Sequence, residues 1–342
     1  MEELSSREKL ILQLTVNNFI STGLPVGSRV LWKNYNLDIC PATIRNIMFD
    51  LEETGLLEQP HTSAGRIPTD KGFRTYIEDL IHYEKLTERE KRIIRDNIES
   101  IKNNIDDLLK KTSLVLGKLS KQLSVVLTPN FYSGIFEKLE LVDVSSNKIL
   151  LVITLKAGLF KTIIIEIDSH IPKSELEETA RVMNERLYGL TLVEIKNTID
   201  RRLKNISSGN KGIIRYFIEY SQNIFEIEWE EYAHLGSTKE IIEQLEFTSS
   251  EYLKKIFNLL EDKKTIINIF KKRKNEEKIT VTIGKENVDT NIDIFSVVTA
   301  VYKIENVKGT LGIIGPRRMR YSKVIPLVKY TAKMLNETIN TN

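Results

Sequence analysis

The segment from Pro41 to Thr54 constrains the fold more than any other stretch of the chain. Ile44, Ile47, Met48 and Leu51 fall within one narrow arc at about 100° per residue, so the spacing predicts a helix with a single buried face. Pro41 takes the first helical position, where a missing N–H costs nothing, and Gly55 stops the helix. Such a stripe needs partners, and the preceding residues supply them. Ser5 and Glu8 stand at capping-box spacing ahead of Leu10, Ile11 and Leu14, which point to a core, and that helix ends near Thr22-Gly23. Gly27-Ser28 then give a turn and N-cap for a second helix through Val30, Leu31 and Tyr35, and Asn36 to Cys40 form a short turn. Three short helices in this order match a helix-turn-helix.

The opposite arc of the third helix carries Ala42, Thr43, Asn46, Phe49 and Asp50, with Arg45 on its flank, a mix suited to base edges and phosphates. After it, Leu56 to Gln59 read as a strand, Pro60 to Gly65 as a loop and Arg66-Ile67-Pro68 as a return strand, which makes a wing. Its loop offers His61, Thr62, Ser63 and Arg66 to phosphates or a minor groove, and Gly65 permits the reversal. Thr69 caps a further helix with Phe73, Tyr76, Ile77, Leu80 and Ile81 on its buried face. Against DNA binding, such helices also serve protein contacts, and Glu52, Glu53, Glu58 and Asp70 outnumber the local cations.

Beyond residue 84 a charged connector carries Ile94, Ile98, Ile101, Ile105, Leu108, Thr112, Val115 and Leu119 at heptad-like steps, either a short coiled coil or a face packed on its own sheet domain. Leu139–Val144, Ile149–Leu155 and Leu159–Ile167 read as an antiparallel meander with turns at Ser145-Ser146-Asn147 and Ala157-Gly158. Residues from Ser174 to Lys274 are mainly helical, with Leu176, Val182, Met183 and Leu187 as one stripe and Ile256, Leu259 and Leu260 as another. Strands return at Ile279–Ile283, Phe295–Ile304 and Thr310–Ile314, and a final amphipathic helix carries Val324, Leu327, Val328 and Leu335. The pattern predicts an α+β chain in which one sheet domain is interrupted by a helical insert.

Composition removes several functions. The apolar runs are too short to span a bilayer, so a soluble cytoplasmic protein is expected, and a net charge of +3 gives only weak support for a nucleic-acid partner. A single cysteine, Cys40, excludes a disulfide framework. The four histidines, His61, His82, His170 and His234, lack ligand-spaced neighbours, so no metal, cofactor or catalytic residue is assigned and no enzyme is expected. Gly309, Gly312 and Gly315 read as strand-end glycines because no Gly-Lys-Ser/Thr follows. Arg317, Arg318 and Arg320 suit either an anion pocket or a solvated loop, and Lys271 to Lys274 beside Glu276 and Glu277 a charged surface.

Six runs carry a resemblance. Pro25-Val26-Gly27-Ser28-Arg29, Pro41-Ala42-Thr43-Ile44-Arg45-Asn46 and Leu56 through Gly72, LLEQPHTSAGRIPTDKG, resemble the HrcA family of bacterial heat-inducible transcription repressors. Ile283-Gly284-Lys285-Glu286-Asn287, Ser296 to Ala300 and Gly309 to Tyr321, GTLGIIGPRRMRY, look like that family's C-terminal signature. The resemblance implies a winged helix-turn-helix at 1–84, a helical connector at 85–127, a GAF-like α/β sheet domain at 128–170 and 276–342, and an inserted dimerisation domain at 171–275. It implies repression of chaperone operons by a homodimer on an inverted-repeat double-stranded DNA operator at the nucleoid, with activity modulated by the GroE chaperonin. The DNA-reading residues it implies are Thr43, Arg45 and Asn46 on the third helix and Thr62, Ser63 and Arg66 in the wing, with Ser28 and Arg29 on the backbone. Each has a plainer role open to it: Thr43 a local cap, Asn46 solvation, Arg66 a pair with Asp70.

The chain departs from the family where Cys40 replaces a capping serine, and where Ile47 and Phe49 replace Glu and Ala. Phe49 either touches a thymine methyl or packs under the wing. Two other functions compete: a regulator with a small effector in the GAF-like domain, and an enzyme with an accessory helix-turn-helix.

Overall fold

In the computed structural model, residues 4–101, 105–129, 134–145, 147–156, 160–167, 170–221, 224, 233–236, 250–272, 278–287, 292–304 and 307–339 are described. The Ala157-Gly158 turn, Ser146 and most of the basic segment with Glu276 and Glu277 lie outside them. The N-terminal unit opens with α1 (Ser6–Thr22), α2 (Ser28–Tyr35) and α3 (Pro41–Glu53). Ser5 and Glu8 form the reciprocal cap on α1, and Gly23 closes it in the left-handed region at φ 70°. The face α1 buries is Ile11, Leu12, Thr15 and Val16. Leu10, expected in the core, lies about 100° off that arc and is exposed. In α2 only Leu31 is buried, and Gly27 rather than Ser28 is its N-cap, so no side chain caps that helix. The stripe of α3 is buried as its spacing predicts: Ile44, Ile47, Met48 and Leu51.

A two-residue hairpin follows, β1 (Leu57–Glu58) with β2 (Ile67–Pro68), then α4 (Asp70–Thr75) capped by Thr69, running on as a π-helical turn over Tyr76–Leu80. The connector is a pair of helices, α5 (Glu88–Glu99) and α6 (Ile105–Ser120), that pack on each other and on the last helix, α12 (Tyr321–Ile339). Ile94, Ile98, Leu108 and Thr112 turn into this packing. Of the two readings of the heptad-like seam, the packed face is the one adopted: α5 ends at Glu99 with Ser100 as its C-cap, and α5 and α6 pack on each other and on the last helix.

Two sheets form where one interrupted sheet is expected. β3 (Leu123–Leu127), β7 (Ala233–Leu235), β8 (Thr280–Ile283), β9 (Phe295–Ile304) and β10 (Val307–Pro316) make an antiparallel sheet in the order β7-β3-β10-β9-β8. The meander β4 (Phe136–Ser145), β5 (Lys148–Leu155) and β6 (Phe160–Glu166) makes a sheet of its own, packed on α7 (Lys173–Leu187) beside α8 (Leu192–Leu203) and α9 (Lys211–Glu219). Strand patterning records which face is buried and says nothing of which strand lies alongside, so the partner choice is invisible in sequence.

The five-stranded sheet is covered on both faces. Val126, Val298, Leu311 and Ile313 join the core that holds α6 and α12. Val125, Val297, Phe295 and Ile314 pack with Ile256, Leu259, Ile266, Ile267 and Phe270 of α10 (Ser250–Glu261) and α11 (Lys263–Lys271). These two helices, expected inside the insert, therefore belong to the sheet unit. The glycines of β10 are interior rather than strand-end: a Cβ on Gly312 would stand 2.1 Å from the Val298 carbonyl oxygen.

Candidate nucleic-acid interface

Helix α3 divides its residues between two tasks. Its inner stripe holds the N-terminal core, and its outer arc leaves Ala42, Arg45, Asn46, Phe49 and Asp50 exposed, with Thr43 half-buried. Among the described residues Arg45 and Asn46 have no side-chain partner. Cys40 is the N-cap, extended at φ −72° and ψ 156°, and its side chain caps no backbone N–H. Its Sγ lies 3.3 Å from Thr43 Oγ1, and that hydrogen bond draws the thiol pKa below its ordinary value. Ser28 and Arg29 stand at the start of α2, Arg29 exposed and Ser28 half-buried.

The loop between β1 and β2 is braced from within. Gln59 Nε2 donates to the carbonyls of Thr62 at 3.1 Å and Ala64 at 2.9 Å, which leaves the Thr62 and Ser63 side chains exposed. Val26, between α1 and α2, pairs with Arg66 through both backbone bonds, at 2.8 and 2.9 Å. Gly65 has an ordinary negative-φ backbone, so reversal is not its task. A Cβ there would stand 2.4 Å from the Val26 carbonyl, and glycine is needed for that close approach.

Arg66 pairs with Glu52 rather than Asp70: Nε and Nη2 both lie 2.8 Å from Glu52 Oε2. The guanidinium is thereby committed to tying the hairpin to α3, and it neutralises one of the acids that would repel phosphate. Asp70 turns the other way, accepting from Arg317 Nη1 at 2.9 Å and from the Lys285 N–H at 3.0 Å.

Those bonds belong to a seam between the N-terminal unit and the sheet unit that sequence reasoning missed. Arg74 binds Glu286 and donates to the Val281 carbonyl at 2.7 Å, and Arg318 Nη1 donates to the Ile20 carbonyl at 3.0 Å. Glu84 takes Arg320 at 2.8 Å and the Ser322 hydroxyl at 2.6 Å. Burial works against the Arg317 charge, yet Asp70 more than offsets it and the guanidinium pKa is raised. Arg317 and Arg318 are thus drawn into the seam, while Arg320 pairs with Glu84 at its solvent-exposed edge. The only signal in sequence was their clustering beside Gly315-Pro316, which names no partner.

Two clefts of about 330 and 590 Å³ flank Arg318 along this seam. The larger is lined by Asn17, Ser21, Glu84, Gln122 and Arg320, and the Gln122 carboxamide oxygen is buried without a partner among the described residues. Elsewhere His234 Nε2 lies 3.2 Å from Asp106 Oδ1 without hydrogen-bond geometry, and burial lowers its pKa while Asp106 opposes. Among the described residues no helix is long and apolar enough to cross a membrane.

With this geometry in place, comparison with known proteins gives the family. The family model described as HrcA protein C terminal domain matches residues 106–325. The chain is 36% identical to the heat-inducible transcription repressor HrcA of Chlorobium chlorochromatii, over 99% of this chain and 98% of that protein. It is 34% identical to the protein of that name from Chlorobium phaeobacteroides strain BS1, over 99% of each. A solved structure described only as a hypothetical protein shares the fold, with a TM-score of 0.64 at 24% identity over 99% of both chains. Both relatives are named as transcription repressors. On a match that runs nearly end to end, the chain belongs to the HrcA family of heat-inducible transcription repressors.

Proposed function

We propose that residues 1–84 form a winged helix-turn-helix that reads an inverted-repeat operator, and that the chain, as a homodimer on the nucleoid, represses chaperone operons under modulation by the GroE chaperonin. One observation carries the reading: the outer arc of α3 presents Arg45 and Asn46 exposed and uncommitted while the same helix's inner stripe is fully buried. An arginine fork matches the guanine edge and a carboxamide the adenine edge in the major groove. Thr43, Ser28 and Arg29, with Thr62 and Ser63 of the hairpin loop, supply hydroxyls and charge for the phosphates. Arg66 acts through Glu52, holding the loop against α3.

The five-stranded unit is the GAF-like domain of this reading. Dimerisation falls to the inserted domain of 171–275 together with the outer face of the meander sheet that packs on its first helix. There Val142, Leu150 and Ile164 align across the three strands, and Val142, Val144, Phe160 and Ile164 are exposed. An apolar face of this kind is what a second copy would cover.

Purified protein is titrated with an inverted-repeat duplex and a scrambled duplex at physiological salt, with and without chaperonin. Preference for the inverted repeat, strengthened by chaperonin, is expected; equal binding to both duplexes overturns operator reading. A second reading, a small effector, draws support from the 590 Å³ cleft at the edge of the sheet domain and its unpartnered Gln122 oxygen.

A further inference from the structure

We propose that Phe49 is a specificity-determining residue of the reading helix, selecting a thymine through its 5-methyl group in each half-site. The inference rests on the operator-binding reading above and deepens it.

Phe49 is 51% exposed on α3, so it does not pack under the hairpin. At 100° per residue it stands about 40° from Arg45 and about 60° from Asn46 around the helix axis, between the two groups best suited to base edges. Anything that brings Arg45 and Asn46 to the floor of a major groove brings the Phe49 ring there too, about one turn further along. A phenyl ring has no donor or acceptor to offer a base edge, and pressed against one it desolvates polar groups at a cost. The apolar feature that the major-groove edges present is the thymine methyl. The ring's match is therefore a thymine next to the pairs met by Arg45 and Asn46. Farther along this side of the helix, Asp50 and Glu53 are exposed anions, which DNA would reject, so Phe49 is the last side chain on the arc that a groove accepts.

The test uses the full chain and a half-site sequence selected by the protein from a randomised duplex pool. Each thymine is replaced in turn by deoxyuridine, which removes one methyl and leaves every hydrogen-bonding group in place. For the wild type, affinity should fall about three- to fourfold at one position per half-site, the equivalent of one buried methyl at about 0.8 kcal/mol. Phe49→Ala should bind the thymine and uridine duplexes equally at that position, and Phe49→Leu, which keeps an apolar surface, should retain most of the preference. Because Phe49 is exposed, helix content and thermal midpoint should be unchanged in both variants. A wild type with no uridine penalty at any position overturns the proposal, as does a Phe49→Ala protein that keeps the wild-type penalty. A wild type that selects no sequence from the pool overturns the operator reading itself, a result distinct from specific binding indifferent to the methyl.

Discussion

The N-terminal unit has two faces at which arginine is put to opposite use. On the outer face Arg29 and Arg45 are exposed, and among the described residues neither has a carboxylate partner. At the seam behind it, Arg74 of this unit and Arg317 and Arg320 of the sheet unit each meet one, Glu286, Asp70 and Glu84. The same side chain is thus held available on one face and consumed as an interdomain tie on the other. Which of the two an arginine does depends on what stands opposite, and the seam's opposite residues are some two hundred positions away in the chain, as in Arg74 with Glu286, separated by 212 residues. The seam also means that the orientation of α3 is referred to the five-stranded sheet, since α4 follows directly from the hairpin that braces it.

The change expected to collapse both faces is Gly65→Ala. Its Cβ would meet the Val26 backbone at 2.4 Å, and backbone has no rotamer to yield with, so a loss of about 3 kcal/mol of stability is expected in urea titration. Retention of the wild-type midpoint would mean that the Val26–Arg66 bridge does not hold the hairpin.

Two substitutions should then separate the faces. Arg317→Ala strips Asp70 of its cation and should cost about 2 kcal/mol, below the range for a fully buried pair because both groups are partly exposed. Its effect should appear as earlier proteolysis between the N-terminal and sheet units. Arg45→Ala should leave stability within about 0.5 kcal/mol of wild type and weaken operator binding by about 1–3 kcal/mol, with base preference relaxed at one position. An Arg45→Ala protein that melts early and binds normally would reverse the assignment of the faces.

A smaller effect is expected at the edge of the reading face. Cys40 leaves the α3 N-cap without a side-chain bond, so Cys40→Ser should add about 1 kcal/mol of stability with unchanged base preference. The smallest lies far from both faces, at His234 on β7. Its pKa is depressed below 6.5 by burial, against the pull of Asp106 and Asp107 and with the push of Lys110, so folding favours the neutral ring. Its contribution is complete above the ordinary imidazole range and is lost as pH falls through 6.5 toward the depressed folded value. Midpoints measured from pH 7.5 to 5 should decline less steeply in His234→Gln than in the wild type.

Much of the N-terminal unit was legible because its information is local. The α3 stripe follows from periodicity, its start from Pro41, the α1 cap from Ser5 and Glu8, and the hairpin from two short apolar runs around a loop. The extents of β8 and β9 and the buried face of the last helix were readable for the same reason. Residue roles failed wherever the partner is distant or the register ambiguous: Leu10 faces water because the buried arc is shifted by one residue, and Arg66 turns to Glu52.

Local pattern thus determined, by itself, the helices, the hairpin, the mixed α+β character and, through motifs shared along the whole chain, the family. Only the tertiary structure decided that the meander stands apart from the five-stranded sheet, that α10 and α11 cover that sheet, that Gly65 serves close approach, and that the C-terminal arginines tie two units together. The physical reason is one of range. Periodicity and capping are set by residues within a few positions of each other, whereas strand partners, close backbone contacts and ion pairs are set by three-dimensional proximity, which a pattern of burial constrains without specifying.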